Sequence, residues 1–386
     1  MPHDTPPIPA DRHRLLAAAD RLAPMLAAAS PDIERARRLP QPVADALADE
    51  GLYSMLVPRS LGGSETDVNT FVQVIERLAR AESASAWCAF IANTTALIAG
   101  YLPPQAAGEI FARPGVKLAG VYAPHGRAKP AEQDGVPGFV VSGTWPWGSG
   151  TANADWILGG CLVAGEEGVR SMVFEASQVT LAGDWTAMGL CGTGSGRFSV
   201  TEAFVPRSRS ASILADTPLA QPLYQFPIFC LLAVGIAAVS LGIARQAIDS
   251  LVTLSNQKMP EGSRRVLAER ASTQQHVARA EAGLRSARSF LLDAVDAAWR
   301  AALANELPVE LRRDLRLATT HAVEASAVVV QAMYSCAGGN AIFDSSPLQR
   351  CLRDVQVASQ HTMVGESTWE LTGRLFLGLP TQVAML

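Results

Sequence analysis

The stretch Leu352-Arg353-Asp354-Val355-Gln356-Val357-Ala358-Ser359-Gln360-His361-Thr362-Met363-Val364 decides how the chain is read. It follows Cys336-Ala337-Gly338-Gly339-Asn340 and Pro347-Leu348-Gln349-Arg350, so a glycine turn closes one helix and a proline opens the next. That next helix carries the Arg353-Asp354 pair and one histidine, His361, and the pattern extends it to about Gly378. Three further long helices precede it, from Pro227 to Leu251, from roughly Arg264 to Ala302, and from Leu307-Pro308-Val309-Glu310 to Tyr334. Four long helices with short connections predict a bundle. The first is uncharged from Thr217 to Ala244 and apolar enough after Ile228 to suggest a membrane span. Its small residues, among them Ala233, Gly235, Ala238, Ser240 and Gly242, predict instead a helix closely surrounded by others, so no membrane partner is expected.

Upstream the texture differs. From Asp11 to about Arg113 apolar residues recur at helical spacing, as in Leu15, Leu16, Ala19, Leu22 and Leu26. A later apolar helix runs from about Ala84 through Trp87, Phe90 and Leu97 to Tyr101, stopped by Pro103-Pro104. Short β-rich runs bounded by turn residues begin near Gly115: Val116 to Tyr122, Gly138 to Gly143, Trp156 to Val163, Ser171 to Phe174 and Phe198 to Val200. The expected fold is mainly α with a central, small antiparallel β domain. The expected divisions are an N-terminal helical domain at 1–114, the β domain at 115–215 and the four-helix bundle at 216–386.

The 386 residues carry a net charge of -4 with no basic run, which argues against a nucleic-acid partner. Six scattered cysteines show no CxxC pair and no metal-ligand spacing to histidine, so reduced thiols, no metal and a cytoplasmic setting are expected. The polar, proline-rich Met1 to Pro7 reads as no secretion signal. Gly192-Thr193-Gly194-Ser195-Gly196 precedes a strand rather than a helix, which removes the helix N-terminus a dinucleotide pyrophosphate needs.

Helices, a β domain and a four-helix bundle, in that order over nearly the whole chain, resemble the acyl-CoA dehydrogenase superfamily. The Gln360-His361 pair resembles its oxygen-using branch, the two-component flavin-dependent monooxygenases. Gly143-Thr144-Trp145-Pro146-Trp147-Gly148-Ser149-Gly150 resembles the family segment that passes over the flavin ring; the resemblance puts Trp147 against the ring and the Ser149 hydroxyl at its edge. Met188 to Ser195, after Trp185, resembles the segment that turns under the cofactor, with Thr193 and Ser195 as cofactor-side hydroxyls, although a plain glycine-rich hairpin explains it equally. Gly338 and Gly339 resemble the pair that approaches a neighbouring subunit's cofactor in the family's homotetramers, and a helix C-cap explains them nearly as well.

Departures from the family pattern shape the expected activity. Asn256 to Gly262 lacks the dehydrogenases' Arg-x-x-Phe-Gly, leaving FMN versus FAD open, and the position of their catalytic glutamate falls on Thr362, beside His361. The resemblance therefore implies an oxygenase that takes reduced flavin from a separate NAD(P)H:flavin reductase and uses O2, through a peroxyflavin, on a small aromatic substrate. His361 is its expected catalytic acid or base, with Ser149 beside it. Trp87, Phe90, Tyr122 and Phe229 are candidate pocket walls. An acyl-CoA dehydrogenase or related flavin oxidase is the first alternative, and a non-catalytic helical scaffold the second.

Overall fold

The computed structural model describes residues 10–384 and 386; the expectation about Met1 to Pro7 lies outside them. The chain opens with α1 (Ala10–Ala36), α2 (Gln41–Asp49), α3 (Val68–Ala81), α4 (Ser83–Ala96) and α5 (Pro104–Ile110). Strands follow as β1 (Leu118–Gln133), β2 (Val136–Trp145), β3 (Trp156–Val163), β4 (Val169–Glu175), β5 (Thr180–Leu181), β6 (Phe198–Pro206) and β7 (Ser210–Ala211). The chain then returns to helix in α6 (Pro222–Gln225), α7 (Ile228–Gln257), α8 (Ala271–Leu303), α9 (Val309–Ala337), α10 (Pro347–Ser359) and α11 (Glu366–Phe376).

The strands form one sheet in the order β5-β6-β2-β1-β3-β4-β7. The expectation of an antiparallel sheet holds for every pairing except β1 with β3, which is parallel. The chain path explains it. β2 returns antiparallel along one edge of β1, and the connection over 146–155 then carries the chain past β1 to its other edge, where β3 sets out in β1's direction. Trp147 and Ser149 lie in that connection.

One core joins both helical parts, running from Leu15 on α1 through Phe71, Phe90 and Leu231 to Val355 on α10. α7 is its axis. Every residue from Ala233 to Ala244 is buried, and the helix passes so close to α3 that a Cβ at Gly242 would meet the Glu76 carbonyl oxygen at 2.4 Å. Of its most apolar window, 83% is buried inside the protein, as the small residues require. The second bundle helix starts at Ala271 rather than near Arg264: Leu267 N–H donates to Lys258 O at 2.8 Å, folding that segment back as a short 3-10 turn.

Candidate active site

The last helix is broken where the sequence suggests continuity. α10 ends at Ser359, α11 starts at Glu366, and His361 sits in the turn between them. Two causes are visible. Gly365 leaves the helical path in an extended conformation (φ -81°, ψ -177°), and the His361 Nδ1 accepts the Met363 N–H at 3.2 Å, a local bond that competes with the helical ladder.

The Arg-Asp pair pins α10 ahead of this break. Asp354 is buried and accepts from the Ser83 hydroxyl, which opens α4, and from Leu190 N–H at 2.6 Å. Arg353 pairs with Glu34 of α1 and donates to Met188 O at 2.5 Å. Gly189 permits this contact, since a Cβ there would lie 2.2 Å from Arg353 O. Burial holds the Asp354 carboxyl above the usual carboxylate range even though Ser83 and Leu190 pull it down. Glu82, buried nearby, is also raised by burial; it caps α4 by accepting from Ala84 N at 3.1 Å and Ser85 N at 2.6 Å.

Leu190, with φ +48°, then aims its carbonyl at three donors: Thr193 Oγ1 at 2.8 Å, Thr193 N at 3.0 Å and Trp185 Nε1 at 3.2 Å. Thr193 Oγ1 is 2.6 Å from Ser195 Oγ, which is 2.6 Å from Ser149 Oγ, and Ser149 Oγ accepts from Trp87 Nε1 at 3.1 Å. The Trp87 ring stands 6.2 Å from the His361 ring, centroid to centroid. Thus His361, Trp87, Ser149, Ser195, Thr193 and Trp185, scattered over 87–361, meet in one connected site.

Trp145 and Trp147 divide the roles in their segment. Trp145 is 0% exposed, stacks on Phe198 at 5.0 Å and donates to Gly160 O at 2.8 Å. Trp147 is 68% exposed and held at φ +61°, a strained setting for a bulky residue. A large flat surface held out at a cost, two residues from the buried Ser149 hydroxyl, fits an aromatic ring system.

Among the proposed walls, Phe90 is fully buried and packs edge-on behind Trp87, with centroids 4.8 Å apart. Phe229 lies partly buried in the first turn of α7, against the same core. Tyr122 is turned to α4, its hydroxyl donating to Thr94 O at 2.9 Å. Gly338 and Gly339 are exposed at the end of α9, where Lys258 Nζ caps the helix through Ala337 O at 2.7 Å; the fold does not bring them into the site just described.

The electrostatics of His361 differ from the sequence expectation of a group titrating near neutrality. Burial, assisted by the positive charge of Arg316, lowers its pKa to about 4, so the ring is neutral at pH 7. Because Nδ1 accepts from Met363, the proton resides on Nε2, a fixed donor. Sequence reasoning missed Arg316. It is buried on α9 and reaches Thr368 Oγ1 at 3.4 Å. A lone arginine within the buried stripe Leu315, Ala318, Ala322 was the available signal.

The sequence profile of the acyl-CoA dehydrogenase N-terminal domain matches residues 13–108, and that of the acyl-CoA dehydrogenase C-terminal domain matches 234–366. The chain belongs to the acyl-CoA dehydrogenase family. Within it the similarity is to oxygenases. Indole-3-acetate monooxygenase of Pseudomonas putida is 32% identical over 90% of this chain and 89% of its own length. The crystal structure of the HsaA monooxygenase from Mycobacterium tuberculosis superposes with a TM-score of 0.88 at 26% identity, covering 97% of this chain and 100% of that one. XiaF from Streptomyces, solved with FADH2 and glycerol, gives 0.88 at 27% identity over 96% and 97%. The chain is accordingly an oxygenase component of the flavin-dependent monooxygenase kind, an oxidoreductase that works with reduced flavin.

Proposed function

We infer that this oxygenase receives its reduced flavin from a separate NAD(P)H-dependent reductase and uses O2 to oxidise a small aromatic substrate of the indole-3-acetate kind. The observation that carries this reading is the meeting of His361, Trp87 and the Ser149–Ser195–Thr193 hydroxyls without a carboxylate among them. A dehydrogenase needs a base for an α-proton. The buried acids nearby, Asp354 and Glu82, are engaged in holding Leu190 and α4, and Glu366 is exposed at the start of α11. The 32% identity to indole-3-acetate monooxygenase supports the substrate class.

Bound reduced flavin supplies the two electrons that oxygen chemistry needs. The protein supplies position and dryness: Trp147 offers the flat wall, the hydroxyl row fixes the ring edge, and the core behind Trp87 and Phe90 excludes water. His361 presents its Nε2 proton to an oxygen of the substrate or of the reacting centre. Anaerobic loading with chemically reduced flavin, followed by ¹⁸O2 and indole-3-acetate, should give product carrying one labelled oxygen. Label-free product, or turnover of an acyl thioester instead, would count against the reading.

A homotetramer and a cytoplasmic setting belong to the same reading. Ile342 and Phe343, next to the Gly338-Gly339 turn, are 63% and 61% exposed, which supports a covering subunit; light scattering should find four chains together. All six cysteines are free, five of them buried, which suits a reducing compartment.

A further inference from the structure

The hydroxyl row has fixed polarity at both ends. Trp87 Nε1 can only donate, and its partner is Ser149 Oγ at 3.1 Å; the Leu190 carbonyl can only accept, and Thr193 Oγ1 lies 2.8 Å from it. Each hydroxyl has one proton. Thr193 gives its proton to Leu190, so across 2.6 Å it must accept from Ser195. Ser195 then has none left, and across its own 2.6 Å contact it accepts from Ser149. Every proton in the row therefore points toward Leu190, and what Ser149 has left to offer a ligand is a lone pair. Asp354 holds the far end in place through the Leu190 N–H at 2.6 Å.

We propose that this one-way row makes Ser149 an acceptor-only contact and thereby selects the redox state of the flavin. The proposal rests on the flavin reading above. Reduced flavin carries a proton on N5 and can donate to such an oxygen; oxidised flavin has a bare acceptor nitrogen there, and two facing acceptors repel. Thr193 and Ser195 are then positioning residues for cofactor selection, acting through Ser149. A protein wired in this way takes up reduced flavin and releases the spent form.

The test is equilibrium titration of the full chain with reduced FAD and FMN under anaerobic conditions and with the oxidised forms in air, reading the ratio of dissociation constants. Ser195→Ala frees the Ser149 proton, so oxidised flavin should bind about tenfold tighter with reduced flavin little changed, the scale of one hydrogen bond. Thr193→Val should move the ratio in the same direction, and Thr193→Ser should restore it. Ser149→Ala should weaken the reduced form alone. Circular dichroism checks each variant for folding, and Thr193→Val carries the test if Ser195→Ala is misfolded. A parental ratio in both Ser195→Ala and Thr193→Val overturns the wiring while leaving the oxygenase reading intact. Failure of the parent to bind either flavin overturns both.

Discussion

α7 and the α10–α11 pair pack against the same α9, covered to different extents. α7 is continuous over thirty residues and held by apolar contact along its whole middle, where no residue reaches solvent. α10 buries only one face, with Leu348, Cys351, Val355 and Ala358 in that core, adds polar fastenings from Asp354 to Leu190 and Ser83 and from Arg353 to Glu34, and ends at Ser359. A helix covered on every side has no free face for chemistry. One covered on a single face can end against a loop, and the break after it is where His361 sits.

Removing the histidine tests this contrast most severely. His361→Ala should fold and bind reduced flavin, yet lose roughly two to four powers of ten in product formation, the scale of a lost proton-donating group. The pH profile sharpens the point. With its folded pKa lowered to about 4, His361 should produce no inflection in turnover between about pH 5 and 8, the range where an ordinary imidazole titrates. The unfolded chain binds this proton below about pH 6.5, so His361 contributes stability that is complete above that value and lost as pH falls through about 4.

Next in size is the apolar partner. Gly242→Leu puts carbon against the α3 backbone, which has no side-chain end to yield, and should cost about 3 kcal/mol in denaturant melts. Asp354→Ala orphans the Leu190 N–H and the Ser83 hydroxyl and should cost about 2 kcal/mol, with weaker reduced-flavin binding. Asp354→Asn should lose less, because an amide oxygen still accepts from Leu190 while its nitrogen donates to Ser83. Smallest is the α7–α8 ion pair, Arg245 to Glu281 at 2.7 and 2.9 Å. The Arg245 bond lowers Glu281 to about 2, so its support is full above about pH 4.5 and fades as pH falls through 2. Being partly exposed, it should amount to less than about 1 kcal/mol, and Glu281→Gln should flatten that part of the acid melt.

The helical order and the sheet were legible because periodicities of 3.6 and 2 are written in side chains. His361, Ser149, Ser195 and Thr193 were legible as candidates through their segments' likeness to a family. Three features were not. The break after Ser359 has only Gly365 as punctuation, since its other cause is a bond from a ring nitrogen to a nearby N–H. The parallel β1–β3 pairing leaves no trace because alternation names a strand's faces, not its neighbours. The terminus of the hydroxyl row is the Leu190 carbonyl, a backbone atom that any residue would supply.

The core shared by α1 and α10 also sets the order of events at synthesis. Glu34 and Arg350, which bond across it, stand 316 residues apart. α3 and α4 leave the ribosome with apolar faces whose partner, α7, has yet to be made. Contacts of such sequence separation form late and slowly, and the waiting surface is exposed to aggregation. The nascent chain is therefore a natural client for a holding chaperone until α7 emerges, and its yield in a heterologous host should depend on chaperone supply more than on the stability of the finished fold.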